Sequence, residues 1–216
     1  MHSSSCDSFL LDALNLLQHL FAGPDQGCPE MLSTDLPAFA TAHADRDDTC
    51  GRALVELAAA LPTPDGAEAF CRELEPEYVR LFVSSLGGVA APPYHSCHPA
   101  PHSGGEARMM GPPARRMAER LRASGLDTDP GGPPPDHLCV ELEYLSLLLE
   151  SGSGESAAEA RALAGEMLDW TSRFGRAVAK ADAHPFYSSA CLLLSACLDA
   201  VATLPPAATQ PLKPTG

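Results

Sequence analysis

The chain has 216 residues, a hydrophobic fraction of 45% and a formal net charge of −14, from 28 acidic against 14 basic side chains. That length builds one domain whose core needs no metal or disulfide to hold it. The acidic balance disfavours a phosphate-reading surface and an anionic membrane surface; it either serves solubility alone or attracts a basic partner.

Thirty leucines stand against no isoleucine and seven valines. The side chains that suit a pleated surface are therefore scarce, while Leu and Ala lose little freedom in a helix. The expected class is all-α: a single-domain bundle of roughly eight to ten helices over residues 1–204, with a disordered tail at 205–216.

Ser3 to Ser5 and Asp7 can cap a first helix with Leu10, Leu14, Leu17 and Phe21 on one face, stopped by Gly23-Pro24. Short helices follow near Pro29–Leu36 and Ala38–His43. A clear one covers Asp48 to Leu61. Asp65 opens the next, and Pro76 is expected to kink or restart it before Tyr78, Leu81 and Phe82. The Gly-, Pro- and His-rich segment 87–111 is too long for a plain connector and is a candidate functional loop. Pro112-Pro113 begins a short helix closed by Gly125. Residues 129–135 read as a linker able to act as a hinge. The core helix then runs from Asp136 to Glu150, with Leu138, Leu142, Leu145 and Leu149 inward. Two more helices carry Leu163, Met167, Trp170, Phe174 and Val178, then Phe186, Ala190, Leu193, Cys197 and Val201. No window approaches the apolar length of a membrane span.

Eight cysteines lie without a C-x-x-C pair, mostly beside Leu or Ala, and are expected to be free and packed as small apolar groups. His95, Cys97, His98 and His102 form the most metal-like cluster, although no second pair lies at finger spacing; no metal is assigned. Asp136 is expected to cap the core helix, and His137 can pair with Glu141 one turn on. Nucleophile elbows, zinc-protease and phosphate-loop patterns are absent. A metal-binding protein using residues 95–102 is the first rival reading, and an all-α enzyme using His137 and a carboxylate the second.

Tyr78-x-x-Leu81-Phe82, Pro93-Tyr94-His95-Ser96, Pro134-Pro135-Asp136-His137 with Glu141-Leu142-Glu143-Tyr144, and Pro185-Phe186-Tyr187 occur in that order. Together they resemble the TorD/DmsD/NarJ family of cytoplasmic chaperones for molybdenum-containing redox enzymes. The resemblance implies an all-helical, cytoplasmic, non-enzymatic protein without a cofactor of its own. It also implies partners: the apo form of a molybdoenzyme catalytic subunit and its twin-arginine signal peptide, held back from export until molybdopterin is inserted. Nucleic acid and membrane insertion are not expected. Some relatives exchange helical halves, so a monomer with a minor swapped dimer is expected. By position, the peptide-binding groove is Tyr78, Leu81, Phe82, Pro93, Tyr94, Ser96, Asp136, His137 and Glu141. Two positions depart from the family pattern, His95 for an acidic residue and His98 for an aromatic one.

Overall fold

Helical periodicity is realised almost throughout. The computed structural model describes residues 3–84, 86, 88–101, 106–129, 131–181 and 183–205, with side-chain environments from Ser8 onward. The side chains of Ser3 to Asp7, including the expected caps, and the tail from 206 lie outside that description. Helix α1 (Ser3–Ala22) is followed by α2 (Cys28–Glu30), which passes through a π turn at Met31–Asp35 into α3 (Leu36–Ala42). Then come α4 (Thr49–Ala59), α5 (Ala67–Tyr78), α6 (Pro112–Ala123), α7 (Leu138–Ser151), α8 (Gly154–Lys180) and α9 (Pro185–Ala202). No strand occurs among the described residues; the sole pairing of that type is an isolated bridge between Tyr94 and His137. The protein is an all-α, single-domain helical bundle.

Local chemistry explains most boundaries. Asp48 caps α4 by accepting the Gly51 N–H at 2.8 Å, and Ser153 caps α8 by accepting from Ser156 at 3.0 Å. Gly152 leaves α7 at φ +62°, a left-handed conformation that costs glycine little. Pro76 does not break its helix. The run continues from Ala67 through a π turn at Val79–Val83, the wider turn coming three residues after the proline.

The pairs α8–α9, α1–α7, α4–α9 and α7–α8 make the main layers. Phe21, Phe82, Phe174 and Tyr187 interlock at their centre, with edge-to-face or tilted rings 5.2 to 6.0 Å apart. Such pairs add to simple area burial. Helix α9 corrects one expectation: its 18 residues reach a mean hydropathy of 1.4, enough in length and composition to span a membrane. Here that apolarity serves the core, since Phe186, Ala190, Leu193, Leu194, Leu198 and Val201 are buried.

A second correction concerns the cysteines. Cys28 and Cys71 are joined in a disulfide, with Cα atoms 6.3 Å apart. The packing of α2 on α5 brings these two buried positions together across a separation of 43 residues, which no sequence spacing reveals. Cys50, Cys97, Cys139, Cys191 and Cys197 are free.

Candidate functional site

The segment 91–98 folds across the start of α7. Pro92 and Pro93 keep its first half extended, since proline disfavours the helical conformation in the residue before it, and a single 3-10 turn follows at His95–Cys97. The extended strip therefore offers backbone groups sideways. Leu138 N–H donates to the Pro93 carbonyl at 2.8 Å, and His95 N–H donates to the Asp136 carbonyl at 2.9 Å. Leu138 is the first residue of α7, so a first-turn donor that the helix leaves unpaired is satisfied by the loop.

Asp136 locks the arrangement. It is fully buried, and its Oδ2 accepts from the Ser96 N–H at 2.8 Å and from the Ser96 hydroxyl. Its Oδ1 is buried with no hydrogen-bond partner. The expectation that Asp136 caps the core helix is thus corrected. The cap is His137, whose Nδ1 accepts the Cys139 N–H at 3.2 Å, while Asp136 ties down the loop. The helix begins two residues later than the pattern suggests because the Asp136 carbonyl pairs with the strip and the His137 N–H turns back to the Pro134 carbonyl. Burial depresses His137 to a pKa of about 4 against a small opposing pull from Asp136, so the imidazole is neutral and able to accept.

Glu141 is also buried, and it pairs with neither His137 nor solvent. It accepts from Trp170 Nε1 at 2.8 Å and lies 3.2 Å from His95 Nδ1. Burial raises its pKa, and the hydrogen bond from His95 partly offsets that. The rings of His95 and His98 both stack against Trp170, with centroids 5.5 and 5.7 Å away. His98 Nε2 is 2.7 Å from the Pro92 carbonyl, and burial lowers the His98 pKa. Arg173 donates to the His98 carbonyl at 2.9 Å and grips Asp169 through two further bonds. The two positions that depart from the family pattern are therefore where the loop packs on α8.

The other expected residues divide. Leu81 and Phe82 are core, and Pro93, Ser96 and His137 are buried in the clasp. Tyr78 and Tyr94 are half-buried. The Tyr78 hydroxyl donates to the Phe21 and Ala22 carbonyls, 3.2 and 3.0 Å away, closing the end of α1. Its ring lies where a Cβ on Gly23 would stand, and Gly23 has φ +104°, so glycine is required there twice over. Tyr94 packs edge-on to His137 at 5.0 Å. None of the cavities described is lined by Tyr94, Ser96, Asp136, His137 or Glu141.

Within the metal-like cluster, His95 and His98 direct one ring nitrogen each at a protein oxygen. Burial, then Asp136, raises the Cys97 thiol, and His102 lies outside the described residues. No group of three or more ligand-type side chains gathers among the described residues. Trp170 and Arg173 were not foreseen as part of this site. Trp170 reads as one more residue of an apolar stripe, and only its indole N–H, which needs a partner when buried, hints at more.

The chain matches the family described as "Nitrate reductase delta subunit" over residues 43–176, a stretch that holds every residue of the clasp. It is 31% identical over 121 residues to the chaperone protein TorD of Psychrobacter sp. (strain PRwf-1). That alignment takes in 56% of this chain and 51% of the relative, so the chain spans about half the length of the curated relative it matches. A crystal structure from Archaeoglobus fulgidus, assigned as a redox enzyme maturation protein, superposes with a TM-score of 0.54. It covers 89% of this chain and 94% of its own, at 23% identity, and so speaks to the fold.

Proposed function

We propose that this chain, which belongs to the nitrate reductase delta subunit (NarJ/TorD) family, is a maturation chaperone for a molybdopterin-containing oxidoreductase and acts by binding, not catalysis. It takes the apo catalytic subunit and its twin-arginine signal peptide in the cytoplasm, and holds them until the cofactor is inserted. The nine positions Tyr78, Leu81, Phe82, Pro93, Tyr94, Ser96, Asp136, His137 and Glu141 form or support the peptide site.

The observation that carries this reading is the clasp on α7. A buried carboxylate with one unpartnered oxygen is costly, by about 1–3 kcal/mol for an unmade hydrogen bond, and Asp136 Oδ1 is such an atom. A guanidinium is the natural complement, because it donates to both carboxylate oxygens in one plane. Reaching Asp136 requires the strip 91–98 to lift. The peptide arginine then takes the place of Ser96, and Tyr94 and Tyr78 turn apolar faces to the segment that follows. Loop exchange of this kind is common in regulatory interactions.

The test is co-expression with a molybdopterin oxidoreductase catalytic subunit in cells that cannot make the cofactor. A complex that elutes together with the apo subunit, and is lost when cofactor synthesis is restored, is expected. Failure to associate with the apo subunit, with or without its signal peptide, refutes the proposal.

A further inference from the structure

Far from the clasp in sequence, α1 and the α2–α3 run enclose a groove of about 520 Å³. Its apolar floor is Leu16, Met31 and Phe39, all half-buried, and its rim carries the exposed carboxylates of Asp12, Glu30 and Asp35. None of these three carboxylates pairs with a basic side chain among the described residues. No lysine or arginine precedes Arg46, and the Arg46 guanidinium lies over the Phe9 ring at 3.9 Å. The groove is thus an apolar trough edged by uncompensated negative charge. Surface carboxylates of this kind are normally interspersed with cations.

We infer that this groove is a docking site for an amphipathic helical segment of a partner protein, one that carries Lys or Arg on either side of an apolar face. The apolar stripe would lie on Leu16, Met31 and Phe39, as helix-in-groove recognition requires. The flanking cations would meet Asp12 on one wall and Glu30 and Asp35 on the other. Charge complementarity of this type sets specificity and steers encounter. The groove shares no residue with the clasp, so the inference stands whether or not the clasp takes a signal peptide.

The probe is a fluorescent helical peptide of leucine and lysine in amphipathic register, without an Arg-Arg pair, titrated by anisotropy against the full chain. Saturable binding is expected. It should weaken roughly tenfold in Asp12→Asn/Glu30→Gln/Asp35→Asn and by a similar factor in Asn15→Lys, which sets a cation at the exposed groove wall. The variant Glu75→Gln/Glu119→Gln/Glu150→Gln makes the same change in net charge elsewhere and should bind as the unaltered protein does. An unstructured oligolysine should bind at least about tenfold more weakly, since it has no apolar face. Equal losses in the two triple variants, or affinity for oligolysine equal to that for the amphipathic peptide, would mean diffuse attraction to an acidic protein and would overturn the inference. So would unchanged affinity in Asn15→Lys.

Discussion

His137 does two jobs that a protonated imidazole cannot do. It accepts a hydrogen bond at the head of α7, and it sits buried against Tyr94. Its folded pKa of about 4 lies below the ordinary histidine value of 6.5. The unfolded chain therefore takes up a proton first as pH falls. The stabilisation is whole above about pH 6.5 and is lost progressively towards pH 4, on the order of 3 kcal/mol in total. His98, lowered by burial, acts in the same direction. Glu141 acts oppositely: its raised pKa favours the fold at low pH and costs stability as pH rises through the shifted value. Urea denaturation at pH 7.5 and pH 5 should show a clear drop in midpoint at the lower pH. His137→Asn keeps a side chain that can cap and should flatten that drop. An unchanged slope in this variant would mean that His137 does not titrate as described. The importance of Asp136, His137 and Glu141 was legible in the sequence, but their mode of action was not. Their partners Ser96, Tyr94, His95 and Trp170 lie 29 to 46 residues away in the chain, and an i, i+4 rule cannot see them.

The helices themselves were readable because leucine periodicity and proline or glycine stops agree at nearly every boundary. What escaped were places where tertiary contact overrides local signal. The π turns at Met31–Asp35 and Val79–Val83 have no composition cue, and the Cys28–Cys71 pair depends on how α2 meets α5. A loop of that length is worth about 4 kcal/mol on the chain-entropy account. Reduction by a dithiol should therefore lower the unfolding free energy by up to that amount, while Cys28→Ser should make the protein insensitive to reductant. Identical denaturation curves with and without reductant would show that the bond contributes nothing. In a reducing cytoplasm the pair would stand as a dithiol. Residues 129–135 join α6 to α7, with Asp129 accepting from Gly131 and Gly132 in a turn. We propose this connector as the hinge for helix exchange. Refolding at high concentration should yield a minor dimer on size exclusion, and shortening the linker should change its share. A monomer alone under every condition would remove the hinge.

At the scale of the whole molecule, the excess of acid over base gives the surface one dominant sign, and the bundle spends its aromatic residues on a central cluster. The proposed binding of a cationic, partly apolar peptide is compatible with that distribution, and the proposal assigns its specificity to a single buried carboxylate. Net charge was evident from composition alone, whereas the closure of the clasp was not, because seven of the nine expected groove residues are buried. The most direct measurement is a calorimetric titration with a twin-arginine signal peptide, alongside a version in which both arginines are lysines. One saturable site for the arginine peptide is expected, with the lysine version weaker, since lysine cannot make the planar two-bond contact. Asp136→Asn, shown by circular dichroism to be folded, should lose roughly 1.5–3 kcal/mol of binding, the scale of a hydrogen bond to a charged group. Equal affinity for the two peptides, together with no loss in folded Asp136→Asn, would contradict the account and leave Asp136 as a structural tie between Ser96 and α7.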